Sequence, residues 1–389
     1  MKSLSSLLGG IPPSATIAVN DKAKQLKAAG HDVISLAGGD PNFDTPTHIQ
    51  EAAFAAIRAG KTHYPAPAKG TVEAVDAIIA KTERDTGVTV GANEIIVTPG
   101  GKWAIYLALA GMLNPGDEVL YLEPVWVSYP PLIKLAGGVP VAVSLPSEDN
   151  FRISAELLRA KITPKTKALM VTSPSNPTGR VCTQEEVDAI VAVAVEYDLF
   201  VIYDELYEKL IFDGGSHIAL LAEPGMRDRT VCINGLSKAY AMTGWRLGWI
   251  VANPELIKLA AKLHSQTITA ASSFGMTAVA AALNGPQDCV EEMRQAYLER
   301  RDFMVPALNS IDGIECANIE GAFYLFPKFT NTELGSLDIA SRVLDAGVAG
   351  TPGIAFGSSG EGHLRFSIAT APESLKRAIG KLEQVIPTL

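Results

Sequence analysis

Four stretches of this chain put reactive or ligand-binding side chains where turns meet apolar runs. Lys238 lies in Asn234-Gly235-Leu236-Ser237-Lys238-Ala239-Tyr240-Ala241-Met242-Thr243-Gly244-Trp245-Arg246-Leu247-Gly248, a loop bounded by apolar segments. A lysine there is either a solvated surface residue or, if buried, an amine that deprotonates more easily and becomes a Schiff-base nucleophile. Asp204 ends the apolar run Leu199-Phe200-Val201-Ile202-Tyr203 and is followed by Glu205 and Tyr207. A carboxylate at the buried end of a central strand is expensive unless it meets a cation; its other reading is a helix N-cap. Ser173-Pro174-Ser175-Asn176-Pro177-Thr178-Gly179 is turn-rich and offers Asn176. Finally, Thr98-Pro99-Gly100-Gly101-Lys102 precedes a stretch, 103–113, that is apolar nearly all round and is expected as a buried helix. Two glycines at such a turn let backbone N–H groups reach an anion at a helix N-terminus, although the same residues also read as a plain turn, and the P-loop spacing is absent.

Together these loops offer an amine, a carboxylate, an asparagine, a tyrosine and an anion cup. Pyridoxal phosphate needs that set: a lysine for its aldehyde, an acid to keep the ring nitrogen protonated, donors for the ring hydroxyl, and a phosphate cup. No metal is expected. Cys182, Cys232, Cys289 and Cys316 are far apart in sequence and read as buried free thiols, and the six histidines form no pair at i, i+4. A nicotinamide fold is disfavoured, because no Gly-x-Gly-x-x-Gly follows a strand.

The elements that must position these loops follow from the periodicity. Short β-rich runs at 94–98, 118–122, 139–145, 167–172, 200–204, 230–234 and 247–252 alternate with helical stretches, the clearest being 183–197 with Val187, Ile190, Val191 and Ala194 on one face. This alternation predicts an α/β architecture: a mainly parallel sheet covered by helices on both faces, with ligands beyond the carboxyl ends of the strands. Two long helices are expected at 255–283 and 288–310. Shorter strands (322–326, 363–368) and helices (337–346, 372–386) then suggest a smaller α+β domain. The 389 residues are 47% hydrophobic and 19% charged, the composition of a globular chain with a sizeable core. A net charge of −9 argues against a sequence-independent nucleic-acid binder. No signal peptide is indicated from Met1 onward, and no apolar run reaches the roughly 20 residues that span a bilayer, so the expectation is a cytoplasmic protein without membrane or nucleic-acid partners.

Ser-Asn-Pro-Thr-Gly at 175–179, Tyr-Asp-Glu-Leu-Tyr at 203–207 and Ser-Lys-Ala-Tyr-Ala-Met-Thr-Gly-Trp-Arg-Leu-Gly at 237–248, in this order and spacing, resemble the class I/II aminotransferases of the fold-type I pyridoxal-phosphate enzymes. The resemblance extends from Pro13-Ser14-Ala15-Thr16 and Gly39-Asp40-Pro41-Asn42-Phe43-Asp44-Thr45-Pro46 to His363-Leu364-Arg365-Phe366-Ser367. It implies a large cofactor domain at 47–283, with 1–46 and 284–389 forming the small domain. By the same resemblance, Lys238 would hold the cofactor and shuttle the substrate proton. Asp204 would pair with the ring nitrogen, Asn176 and Tyr207 would bond the ring hydroxyl, and Trp126 would stack on the ring. Gly101, Lys102, Ser237 and Arg246 would cradle the phosphate, while Arg365, with Gly39, Asn176 and Trp126, would hold the substrate. Tyr64 matches a tyrosine that reaches the phosphate of the neighbouring subunit, which implies a homodimer with shared sites.

The match has departures. Gly235 stands where some members carry a phosphate-binding serine, Val125 and Trp103 replace a tyrosine and a glutamine, and Gly-Glu-Pro-Asp-Phe reads Gly39-Asp40-Pro41-Asn42-Phe43. Two cation positions that serve dicarboxylate-specific members are also missing. The position 34 residues after Lys238 is Ser272, and the helix after the phosphate loop reads Leu109-Ala110-Gly111. The expected reaction is transfer of an amino group from a neutral or aromatic L-amino acid to a 2-oxo acid by a ping-pong cycle. The competing readings are β-elimination, racemisation or oxidation on the same cofactor, and a non-enzymatic ligand-sensing module.

Overall fold

The computed structural model describes residues 4–389; the first three residues of the N-terminal segment read above lie outside the described residues. Its centre is a seven-stranded sheet built from β1 (Ile95–Thr98), β2 (Glu118–Glu123), β3 (Val139–Ser144), β4 (Thr166–Thr172), β5 (Phe200–Asp204), β6 (Thr230–Gly235) and β7 (Gly248–Val251), in the order β1-β7-β6-β5-β4-β2-β3. All seven lie where alternation of apolar runs and turns predicts them. The central strands β5 and β6 are buried almost throughout, so they read as continuous apolar runs rather than as alternating ones. The sheet is mainly parallel; β7 pairs antiparallel with both β1 and β6.

Helices cover both faces. Gly101–Met112 packs on Pro254–Thr267 on one side, and Gln184–Glu196 lies over the other with Val187, Ile190, Val193 and Ala194 buried. The latter starts on a capping box in which Thr183 and Glu186 satisfy each other's backbone N–H groups. Glu186 also takes a bidentate ion pair from buried Arg180, tying the loop after β4 to this helix.

The continuous helix expected at 255–283 is two helices, Pro254–Thr267 and Ser273–Asn284. Between them Thr269 adopts a φ of 71°, and Ser272 caps the second helix by accepting from the Gly275 N–H. Apolar periodicity runs through the break, which is why periodicity alone misses it. Helices Ala15–Ala28, Thr47–Arg58 and Val72–Thr86 precede the region where the alternation was read. Asp288–Asn309 leads to the smaller sheets, including an antiparallel one of Tyr324–Leu325, Leu364–Ser367 and Thr351–Pro352. Three of the expected buried thiols, Cys182, Cys232 and Cys316, are buried; Cys289 is only partly covered. No helix among the described residues is long and apolar enough to cross a membrane.

Candidate active site

Because β7 alone runs against the rest, the loops after β1, β2, β4, β5 and β6 open at one edge of the sheet. These are the loops carrying Gly101, Trp126, Asn176, Tyr207 and Lys238, and Asp204 is the last residue of β5. They border a cavity of about 680 Å³, within the usual range for a cofactor or small-molecule site. The structure brings to it every expected site residue except one. Gly39, Gly101, Lys102, Trp126, Asn176, Asp204, Tyr207, Ser237, Lys238, Arg246 and Arg365 all border it. Tyr64 is not among them and stands 85% exposed.

Asp204 is buried at the floor. Its Oδ2 accepts the hydroxyl proton of Tyr129 at 2.7 Å, and its Oδ1 accepts the Leu206 N–H at 3.2 Å. Burial pushes the carboxyl up to about 6, and these two donors pull against it. Tyr129 is in turn bonded to Thr172 at the end of β4. The N-cap reading of Asp204 does not apply, because it ends a strand and no helix follows directly.

Lys238 is half-buried and donates to the Gly39 carbonyl at 2.5 Å. The loop holding Gly39 is itself anchored on both sides. Thr243 donates to Asp40, Trp245 Nε1 donates to Thr45, and Arg300 donates to Asn42 while lying 5.0 Å over the Phe43 ring. The motif at 39–46 thus holds a backbone carbonyl against the lysine.

At the cup, Gly100 has a φ of 87°, and a Cβ there would lie 2.7 Å from Arg246 Nη2. Glycine therefore lets the guanidinium close onto the N-terminus of helix Gly101–Met112, where free N–H groups and a permanent cation face the same space. Ser237 is buried beside it. Lys102, on the first turn, places Nζ 4.9 Å over the Trp126 ring; desolvation and then Arg246 lower its pKa.

Opposite, Arg365 is 2% exposed. It donates to Asn176 Oδ1 at 3.0 Å and to the Ala37 carbonyl at 2.6 Å, while its buried Nε has no partner. A buried guanidinium without a carboxylate has its pKa lowered by desolvation and is a ready anion site. The orphaned Nε, the glycine-dependent cup and the buried acid fit a phosphorylated pyridine cofactor together with a substrate carboxylate.

Sequence reasoning missed Tyr129, Thr172 and Tyr324. A tyrosine within an apolar run reads as core, and only the position of Tyr129 three residues after Trp126 hints otherwise. It also missed the grouping of Glu205, Glu208 and His217, whose ligand-type atoms lie within 4.8 Å of one another. Lys81 Nζ sits 2.6 Å from Glu208 and supplies positive charge there, which leaves this trio a buried ion network in the described structure.

The sequence matches the family described as aminotransferase class I and II over residues 31–382. It is 42% identical over 395 residues to an aspartate aminotransferase of Streptomyces avermitilis, covering 98% of this chain and 96% of that protein. Among solved structures, the aspartate aminotransferase from Thermus thermophilus with maleate is 40% identical and superposes with a TM-score of 0.94, over 99% of this chain and 100% of that one. The aromatic aminotransferase from Pyrococcus horikoshii is also 40% identical, with a TM-score of 0.89 over 94% of this chain and 99% of that one.

Proposed function

The chain belongs to the class I and II aminotransferases, pyridoxal-phosphate enzymes of fold type I, and from that premise we propose that it moves the amino group of an L-amino acid to a 2-oxo acid in two half-reactions at the cavity described above. The observation that carries this reading is the convergence of Lys238, buried Asp204 and the partly unsatisfied Arg365 on one space. When bound, the cofactor supplies an aldehyde that condenses with amines and a ring that delocalises the charge left at the substrate α-carbon. Lys238 would hold the aldehyde, and its freed amine would then take the proton from the substrate α-carbon and return it to the carbon that had carried the aldehyde, across the shared nitrogen. Asp204, kept in place by Tyr129, would hold the proton on the ring nitrogen. Asn176 and Tyr207 would donate to the ring hydroxyl, Trp126 would cover the ring face, and the Gly101 N-terminus with Ser237 and Arg246 would hold the phosphate. Arg365 would take the α-carboxylate on its free edge, with Asn176 and Gly39 fixing its orientation.

The donor proposed here is aspartate. Neither Ser272 nor Leu109-Ala110-Gly111 offers a cation for a side-chain carboxylate, but Lys102 stands at the cavity wall over Trp126, and Thr16, Asn20 and Lys24 of helix Ala15–Ala28 add polar and basic groups to the same cavity. The name of the Streptomyces relative supports this choice. In this reading Lys102 faces the substrate rather than the phosphate. A neutral or aromatic donor is the second reading, favoured by the Trp126 ring and Ile17 at the mouth and by the likeness to the aromatic aminotransferase.

The exposed Tyr64 supports a homodimer in which each subunit lends that residue to its partner's site. The division into 47–283 and a small domain of 1–46 with 284–389 also belongs to this reading. It is supported by an apolar cluster around Tyr297, Phe323, Phe366 and Leu382, which draws only Tyr207, Leu210 and Phe212 of its buried members from 47–283. The deciding experiment adds single amino acids to the loaded protein without a 2-oxo acid and follows the cofactor's absorbance. Stoichiometric conversion to the amine form by aspartate supports the proposal. Conversion by phenylalanine or leucine alone favours the second reading. Release of ammonia or racemised product without conversion would sink transamination.

A further inference from the structure

Tyr324 is 1% exposed, borders the cavity, and touches three of the groups just assigned. Its hydroxyl lies 3.0 Å from the hydroxyl of Tyr207. Its ring lies 4.4 Å beneath the Arg365 guanidinium carbon, on a strand that shares a sheet with the strand of Arg365. Gly39 exists as glycine beside it, since a Cβ there would come within 2.5 Å of the Tyr324 hydroxyl. We propose that Tyr324 is a positioning residue that orients the Tyr207 hydroxyl toward the cofactor ring oxygen and, through its ring, seats the guanidinium that receives the substrate carboxylate.

The direction of the hydrogen bond follows from proton count. A phenol has one proton to give. If Tyr207 spends it on the ring oxygen, the bond between the two tyrosines must be donated by Tyr324, and each donation polarises the next. A stronger donor at the ring oxygen favours the form of the cofactor–lysine linkage that has lost its proton, because there the oxygen's negative charge has no neighbouring cation. The charged groups facing the pair are Asp204 at the floor, Arg365 over Tyr324, and Lys238, whose Nζ is 5.9 Å from the Tyr207 ring and 5.8 Å from the Phe323 ring. None of them accepts from Tyr324 in the described structure, so its proton is free for Tyr207. This inference rests on the placement of Tyr207 proposed above.

The test is the pH titration of the visible absorbance of the loaded enzyme, whose midpoint reports the proton on the linkage. Tyr324→Phe keeps the ring and removes the hydroxyl, and should raise the midpoint by about half a unit, the size of one neutral hydrogen bond. Tyr207→Phe should raise it further, and the double variant should match Tyr207→Phe alone. An unmoved midpoint in Tyr324→Phe, or additive shifts in the double variant, would overturn the inference. An unmoved midpoint in Tyr207→Phe would instead overturn the placement of Tyr207, and the relay with it. For the ring, Tyr324→Phe should hold KM within about twofold while Tyr324→Leu raises it about fivefold or more for donor and acceptor alike. Equal KM values for the two variants would remove the seating role.

Discussion

Tyr129 donates its hydroxyl to Oδ2 of Asp204 at 2.7 Å, from the first residue of the helix Tyr129–Leu135 after β2 to the last residue of β5, and both side chains are buried. The end of a strand supplies the acid, and the start of a helix supplies the group that holds its rotamer. Burial drives the phenol well above its ordinary range, so Tyr129 stays a donor at any working pH. Tyr129→Phe should therefore leave Asp204 underpaired, with its carboxyl driven higher still. A hydrogen bond to a charged group is worth about 1.5–3 kcal/mol. Cofactor dissociation should rise and kcat/KM fall by roughly ten- to a hundredfold. Stopped dialysis with absorbance and steady-state rates would measure both, and unchanged values would mean that Asp204 needs no such support.

Removing the acid should have opposite effects with and without cofactor. Its pKa is raised from 3.8 to about 6 by burial, so the folded apoprotein binds this proton more tightly than the unfolded chain. The stability this contributes is complete below about pH 4 and is lost as pH climbs through about 6. Asp204→Asn carries no such loss. The stabilities of the two apoproteins should converge near pH 4 and separate by pH 7, with the asparagine variant melting higher and more stable by on the order of 2–3 kcal/mol at most. With cofactor the order should reverse, because only the carboxylate holds the ring proton. A flat difference between the apoproteins from pH 4 to 7 would show that Asp204 does not titrate in this window.

The parts of this molecule that sequence reveals are those in which one residue type must satisfy one physical demand along a continuous stretch. β4, β5 and β6 announce themselves because strands with both faces covered need unbroken apolar runs. Gly100, Asn176, Asp204 and Lys238 are visible because turns beyond such strands rarely carry that chemistry without reason. Direction is not written that way: nothing in Gly248–Val251 marks it as the one antiparallel strand of the central sheet. Nor are supports brought in from distant segments. Tyr324 lies 117 residues from Tyr207, and its hydroxyl acquires meaning only when the two sheets meet. Lys102 is legible as a cation near the cup, but its place over the Trp126 ring is a matter of packing.

Tyr64 decides whether sites are shared between subunits. Lys238→Ala should cost at least about a thousandfold in turnover while leaving the fold and non-covalent cofactor binding in place. Tyr64→Phe should weaken the hold on the phosphate. In a mixture of the two variants, refolded or exchanged into hybrid dimers, one site per hybrid combines an intact Lys238 with an intact Tyr64 from the other subunit. Activity above the sum of the separate variants is the expected result. Strictly additive activity, with hybrids demonstrated by native mass spectrometry, would place Tyr64 outside the active site.

In the proposed reading, Lys102 carries the choice of donor. Arg365 can pair with the α-carboxylate of any amino acid, so discrimination must come from what meets the side chain. A carboxylate that loses its solvent without a cation pays several kcal/mol, whereas an aromatic or aliphatic side chain loses nothing against Trp126. Lys102→Met keeps the length and the apolar contact with the indole while deleting the charge. It should lower kcat/KM for aspartate by about tenfold or more, leave phenylalanine within about threefold, and leave the affinity for the cofactor unchanged. The last arm matters because Lys102 stands close enough to Arg246 to feel its charge. Weakened cofactor binding with equal losses for both donors would return Lys102 to the phosphate cup, and with it restore the neutral or aromatic amino acid as the preferred donor.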